Sequence, residues 1–155
     1  MDIHEFLRSY DLLSILVSAE EEELVPTYAN VGDAGADLRS KVDVTIEPGE
    51  RMLIPTGVRL VLFQGLVGLV HPRSGLALKH GITVLNSPGT IDSGYRGEIS
   101  VLLYNSGKES FSIAKYDRIA QLVIQPFVHA SFVDVELSEG STSRGEDGFG
   151  STGVK

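Results

Sequence analysis

Two short segments hold most of the side chains that could do chemistry on a phosphate ester. The first is His71-Pro72-Arg73-Ser74-Gly75, where an apolar run stops and a helix is expected to start. Free backbone N–H groups at a helix start attract anions. Arg73 adds a planar charged fork, Ser74 a hydroxyl donor, and Gly75 lets the backbone come close to a ligand. The same residues also suit an ordinary N-cap with a surface arginine, and local sequence slightly favours that plainer alternative. The second segment is Asn86 to Glu98, NSPGTIDSGYRGE. Ser87-Pro88-Gly89 and Asp92-Ser93-Gly94 both read as turns, which together suggest a tight hairpin or a glycine-rich pocket rim. The Asn86 amide both donates and accepts, which suits reading the edge of a base. Asp92 suits a general base, but also the first residue of a turn, and taken alone the turn is favoured. Tyr95 suits a stacking platform or a core tyrosine with a satisfied hydroxyl.

Two further places carry polar groups beside apolar strands. In Asp117-Arg118-Ile119-Ala120-Gln121, the amide of Gln121 lies within an apolar run and needs partners, by default from the backbone. Asp37, in Gly35-Ala36-Asp37-Leu38-Arg39-Ser40, suits an ion pair with an arginine by default, or the orientation of a hydrated metal. Phosphate-loop and dinucleotide fingerprints are missing. His4, His71, His80 and His129 show no metal-ligand spacing, and nothing supports a Ser-His-Asp triad.

The elements that must position these residues are mostly strands. Ile15 and Val17, then Val42, Val44 and Ile46, then Ile99, Val101 and Leu103, then Val133, Val135 and Leu137 alternate with other residues in period two. Leu66 to Val70 is an apolar run broken by Gly68, and Ile119 to Ile124 is nearly continuous, as expected for a strand buried on both faces. Turn signals at Glu47-Pro48-Gly49-Glu50 and Asn105-Ser106-Gly107-Lys108 separate them. The pattern predicts an all-β jelly-roll-like barrel or sandwich. One short helix is expected over Ser74 to His80, between Pro72 and Gly81. Residues 3–13 have roughly helical apolar spacing, and residues 1–12 read as an N-terminal extension. Residues 13–137 form the β domain, and residues 138–155 a flexible Gly-rich arm.

Bulk properties narrow the field. The 155 residues fit one domain, and 42% hydrophobic content supports a core. The 17 glycines agree with many turns, and zero cysteines exclude disulfides and thiolate–zinc sites. A net charge of −8 opposes a broad nucleic-acid surface but leaves room for a small phosphate pocket. Leu12 to Val17 is too short to span a bilayer, and the acidic residues around it oppose a signal peptide. A soluble cytoplasmic protein, with no membrane association, is expected.

Taken in order, five segments resemble the motifs of the trimeric all-β dUTPase family. They are Asp33-Ala34-Gly35-Ala36-Asp37-Leu38, Pro72-Arg73-Ser74-Gly75-Leu76-Ala77, Asn86 to Glu98, Asp117 to Gln121, and Arg144 to Gly153. The likeness spans about Pro26 to Gly153. It implies hydrolysis of dUTP to dUMP and pyrophosphate by a homotrimer with shared sites. This would limit uracil incorporation into DNA and supply dUMP for thymidylate synthesis. By the same resemblance, Asp92 activates water for attack at the α-phosphorus. Asn86, with hairpin backbone from Thr90 and Ile91 to Ser100, reads uracil, and Tyr95 excludes a 2′-hydroxyl. Arg73, Ser74, Gly75 and Gln121 hold phosphates. Mg²⁺ bridges the phosphates mostly through waters, with Asp37 accepting from those waters. In the arm, Phe149 stacks on uracil beside Gly150, while Arg144, Ser151 and Thr152 grip the γ-phosphate and the arm closes as a lid. The same fold also serves dCTP deaminases, including bifunctional ones, and a non-enzymatic β module is the other alternative. A deaminase needs a glutamate base near the pyrimidine, where this hairpin carries Asp92.

Overall fold

The computed structural model describes residues 14–136. The helical spacing over residues 3–13, the Gly-rich arm and its residues Arg144, Phe149, Gly150, Ser151 and Thr152 lie outside that range.

Ten strands and one short α-helix make up the described chain. One antiparallel sheet has the order β1 (Leu16–Ala19), β4 (Arg51–Val61), β8 (Ile99–Asn105), β6 (Ile82–Val84). A second has the order β2 (Ala36–Arg39), β10 (Arg118–Pro126), β5 (Leu66–His71), β7 (Gly89–Ile91). A small two-stranded sheet pairs β3 (Val44–Ile46) with β9 (Phe111–Ile113). All the pairings are antiparallel. The all-β sandwich expected from the alternating apolar pattern is what forms.

Alternation explains the core. In β8, Ile99, Val101, Leu103 and Asn105 are buried while Ser100, Leu102 and Tyr104 are half-buried. Leu38, Ile54, Val58, Val101, Ile119 and Leu122, drawn from both sheets, belong to one continuous cluster. Removing such faces from water is the main force that holds the sheets together. Asn105 sits at the end of β8 with no exposed surface, and its Nδ2 donates to Ile46 O at 2.9 Å and Glu109 O at 2.8 Å. Its Oδ1 accepts the N–H of Gly107, so the expected turn after β8 is organised by a buried amide. The expected helix forms as α1 (Ser74–His80), ending at Gly81 with φ of 70°. A Cβ at Gly81 would meet Gly107 N at 2.7 Å, so both the left-handed conformation and the packing require glycine.

Two expectations need correction. The run Ile119 to Ile124 is not buried on both faces: Ile119, Ala120 and Leu122 are buried, but Gln121, Val123 and Ile124 are only half-buried. The strand expected around Val133 and Val135 is not formed, and these residues are 76% and 62% exposed. Period-two patterning makes a strand only where a neighbour supplies a hydrogen-bonded ladder, and within the described chain none lies beside this segment.

Candidate active site

Three strands bring the first, second and fourth motifs together. In the ladders β2–β10 and β10–β5, Asp37 is opposite Gln121, and Gln121 is opposite His71. Residues directly opposite in neighbouring strands project from the same face. The row Asp37–Gln121–His71 therefore crosses the sheet just where β5 gives way to α1. Gln121 Nε2 donates to Pro72 O at 2.9 Å, which fixes the entry to the helix and satisfies the amide from the backbone, as expected. A Cβ at Gly35 would stand 3.0 Å from Gln121 Cβ, so glycine is what lets the loop lie against that side chain.

Asp37 is buried, yet it is flanked by two guanidinium groups. Arg73 Nε lies 3.5 Å from Oδ1, and Arg118 Nη1 lies 3.3 Å from Oδ2. Arg73 Nη1 also donates to Arg118 O at 2.9 Å. A buried carboxylate needs such partners. These groups, with Ser74 and Gly75, line an open cleft of about 580 Å³. Asp33 lines it as well, so the two arginines face two acids, and what suits the cleft to an anion is the guanidinium N–H groups of Arg73 and Arg118 beside the Ser74 hydroxyl. Arg118 was given no role by sequence reasoning; its only signal was its place at the start of an apolar strand.

A second cleft, of about 190 Å³, lies along the segment Asn86 to Glu98, which forms a glycine-rich rim rather than a hairpin, since β7 pairs with β5 and β8 with β4 and β6. Asn86, Gly89, Thr90, Ile91, Asp92, Tyr95 and Ser100 line it, with the apolar Val70 and Val84 at its back. Gly89 is buried opposite Val70, and a Cβ there would meet Val70 Cβ at 3.3 Å. Strand β7 is thus pressed onto β5, with the Asn86 amide alongside Gly89. Asp92 is exposed at the rim, and its carbonyl accepts the backbone N–H of Tyr95 at 3.0 Å. Tyr95 O–H donates to Glu98 O at 2.9 Å, and Arg96 Nη1 donates to Ser93 O and Tyr95 O. Local bonds thus brace this rim, as a preorganised binding site requires. Glu98 also lines the cleft, although sequence reasoning quoted it without a role.

Asn86, Thr90, Ile91, Asp92, Tyr95 and Ser100 therefore gather in one cleft, and Asp37, Arg73, Ser74, Gly75 and Gln121 in another. The two clefts share no lining residue. Among the described residues no group of three or more His, Asp or Glu side chains could cage a metal ion. No helix among them is long and apolar enough to cross a membrane.

Fold and site define a β-sandwich protein with a small half-apolar cleft beside a turn-rich rim and a separate arginine-bearing cradle, which is the equipment of a nucleotide hydrolase. The chain matches the dUTPase family model over residues 21–153. It is 60% identical over 128 residues to the deoxyuridine 5'-triphosphate nucleotidohydrolase of Bifidobacterium longum, covering 82% of this chain and 80% of that protein. It is 49% identical over 147 residues to that of Chlamydia caviae, covering 92% and 100%. Among solved structures, the Staphylococcus bacteriophage 80alpha dUTPase with dUPNHPP aligns with a TM-score of 0.83 at 31% identity, covering 91% of this chain and 99% of that one. A mutant dUTPase from phage phi11 of S. aureus, described with a structural Mg(II) ion, aligns with a TM-score of 0.74 at 26% identity, covering 81% and 98%. The chain belongs to the dUTPase family. It is an enzyme of the dUTP diphosphatase class.

Proposed function

We propose that Asp92 activates the water that cleaves dUTP at the α-phosphorus, giving dUMP and pyrophosphate. Uracil lies in the rim cleft against Asn86, Thr90, Ile91 and Ser100, and the deoxyribose lies on Tyr95. The observation that carries this reading is that cleft, which Asp92 and Asn86 line together with the apolar Val70 and Val84. Asp92 is held by its turn and exposed, and among the described residues no cation pairs with its carboxylate. Arg73, Ser74, Gly75 and Gln121 bind the phosphates. Arg73 has five N–H donors and spends only two on Asp37 and Arg118, which leaves donors for a phosphate. Phosphoryl transfer is mostly positioning and charge neutralisation, and a guanidinium cradle supplies both. In the arm, Arg144, Phe149, Gly150, Ser151 and Thr152 close over the nucleotide.

Each site is shared between copies in a homotrimer. Two facts support this: the base cleft and the phosphate cradle share no residue, and the chain beyond β10 exposes Val128, Phe132 and Val133 by 90%, 96% and 76%. Exposed apolar segments of this kind are covered by a partner. A free edge for it exists at β1, an outer strand of its sheet.

Mg²⁺ fits the cradle as an ion held mainly by phosphates and water. Two carboxylates line the cradle, Asp37 paired with two guanidiniums and Asp33 accepting from Asn30, and among the described residues no cage of acids forms. When bound, the ion supplies charge neutralisation on the phosphates. Asp37 is the residue that would hold it, by accepting hydrogen bonds from its waters. The enzyme works in the cytoplasm, where dUTP hydrolysis limits uracil incorporation into DNA and supplies dUMP for thymidylate synthesis.

Incubation with Mg²⁺ and each of dUTP, dCTP, dTTP and UTP tests the reading. Pyrophosphate from dUTP alone is expected, and no turnover of dUTP overturns it. Ammonia from dCTP would mark a deaminase instead. The structure disfavours that outcome, because Glu98, the glutamate that lines the cleft among the described residues, has its carboxylate engaged by Gly57 N–H at 2.7 Å.

A further inference from the structure

The ladder between β4 and β8 runs in register from Arg51 to Pro55, then skips: Pro55 is opposite Ser100, but the next pair is Val58 with Ile99. Thr56 and Gly57 bulge out of the ladder, and both are buried. Their polar groups need other partners. Thr56 Oγ1 donates to Ile99 O at 2.6 Å and accepts Val58 N–H at 3.3 Å. The Gly57 N–H goes to Glu98 Oε1 at 2.7 Å. Gly57 is locked there by a φ of 71° and by Leu24, whose Cδ1 would stand 2.8 Å from a Cβ. The bulge is thus a fixed point, and Glu98 is tied to it. Lys41 Nζ, 3.4 Å from the same oxygen, is a looser second contact.

The main chain of Glu98 has the opposite duty. Its carbonyl accepts the Tyr95 hydroxyl at 2.9 Å, and Gly97 between them lies flat against the phenol, with Cε2 2.8 Å from where a Cβ would be. A continuous path therefore runs from the bulge through Glu98 to the Tyr95 ring. We infer that Glu98 is a positioning residue for sugar selection: by anchoring the end of the turn segment between β7 and β8 to the β4 bulge, it fixes the height of Tyr95 and so the exclusion of a 2′-hydroxyl. This inference rests on the reading of Tyr95 as the deoxyribose platform. Its physical basis is that a small displacement of a rigid ring changes the space for one oxygen atom. A loose platform admits the ribonucleotide without losing the water-activating carboxylate.

Three variants of the full-length enzyme test it, each measured for kcat and KM with dUTP and UTP and for thermal melting. Glu98→Asp keeps the charge but withdraws the carboxylate from Gly57 by one methylene. Glu98→Gln keeps the length and the acceptor but drops the charge. Tyr95→Ala removes the platform. The ratio of kcat/KM for dUTP over UTP should fall roughly tenfold in Glu98→Asp, the scale expected for losing one buried hydrogen bond. The loss should come from KM for dUTP and a gain on UTP, with an unchanged pH profile. Glu98→Gln should restore the wild-type ratio. A fall in Tyr95→Ala with a wild-type ratio in Glu98→Asp overturns the role of Glu98 alone. A wild-type ratio in Tyr95→Ala overturns the platform reading as well. An equal fall in Glu98→Asp and Glu98→Gln overturns the hydrogen bond to Gly57 as the anchor.

Discussion

The backbone N–H of Tyr95 donates to the carbonyl of Asp92 at 3.0 Å, so the residue proposed as the base is also the first residue of a turn. The two readings of Asp92 do not compete. The turn uses its main chain and leaves the carboxylate free at the cleft rim.

Asp92→Asn should therefore keep the turn and dUTP binding while kcat falls roughly a hundredfold to ten-thousandfold, the range for loss of a general base. Steady-state kinetics beside calorimetric binding of a non-hydrolysable dUTP analogue checks this. Nearly normal turnover would leave Asp92 as a turn residue only.

Arg73→Lys should raise KM for dUTP about tenfold, because an ammonium cannot hold Asp37, Arg118 O and a phosphate from one planar fork. Melting should change little, since Arg118 still pairs with Asp37. Kinetics and a thermal scan on the same sample separate the two effects.

Asn105→Ala should cost about 3 kcal/mol of folding free energy. It strips three hydrogen bonds from buried or half-buried backbone at the junction of β8 with β3 and the following turn. Urea unfolding measures it, and a loss well below 1 kcal/mol would be inconsistent with buried, unreplaced bonds.

Glu21 receives Lys115 Nζ at 2.7 Å and the Tyr116 hydroxyl, which pins the 3₁₀ turn Glu22–Leu24 to the start of the fourth motif. The Lys115 contact first, and the Tyr116 hydroxyl second, hold its carboxyl below the usual glutamate range. A depressed folded value means the contribution is present above the unfolded value and is lost as pH falls through the folded one. Glu21→Gln should therefore lower the melting temperature slightly near neutrality and not at all in strong acid. The group is exposed, so the difference should also shrink with added salt.

Replacing Phe132 and Val133 by serine should shift sedimentation toward monomer and reduce activity, while the β-sandwich keeps its fold. Both side chains are almost wholly exposed in a single chain and contribute nothing to its core. An unchanged trimer would remove this segment from the proposed interface.

Local signals made some of this structure legible. Pro72 and Gly81 bracket α1, and the alternation of Ile99, Val101 and Leu103 marks β8. The longest strand, β4, was not evident, because Pro55 and Gly57 interrupt its pattern where the bulge needs them. The alternation at Val133 and Val135 was visible but misleading, since a strand needs a partner that these residues lack within the described chain. The ordered motifs located both clefts. The pairing of Asp37 with Arg118, and the tie between Glu98 and Gly57, depend on register between strands far apart in sequence and have no local signature.

The separation of base cleft and phosphate cradle has a thermodynamic corollary. If every site is built from different copies, a lone subunit is inert however well folded it is. Specific activity then becomes a readout of mass action between subunits. Dilution below the assembly constant would extinguish turnover without unfolding a single strand, and nucleotide spanning two copies would resist that loss by acting as their shared ligand.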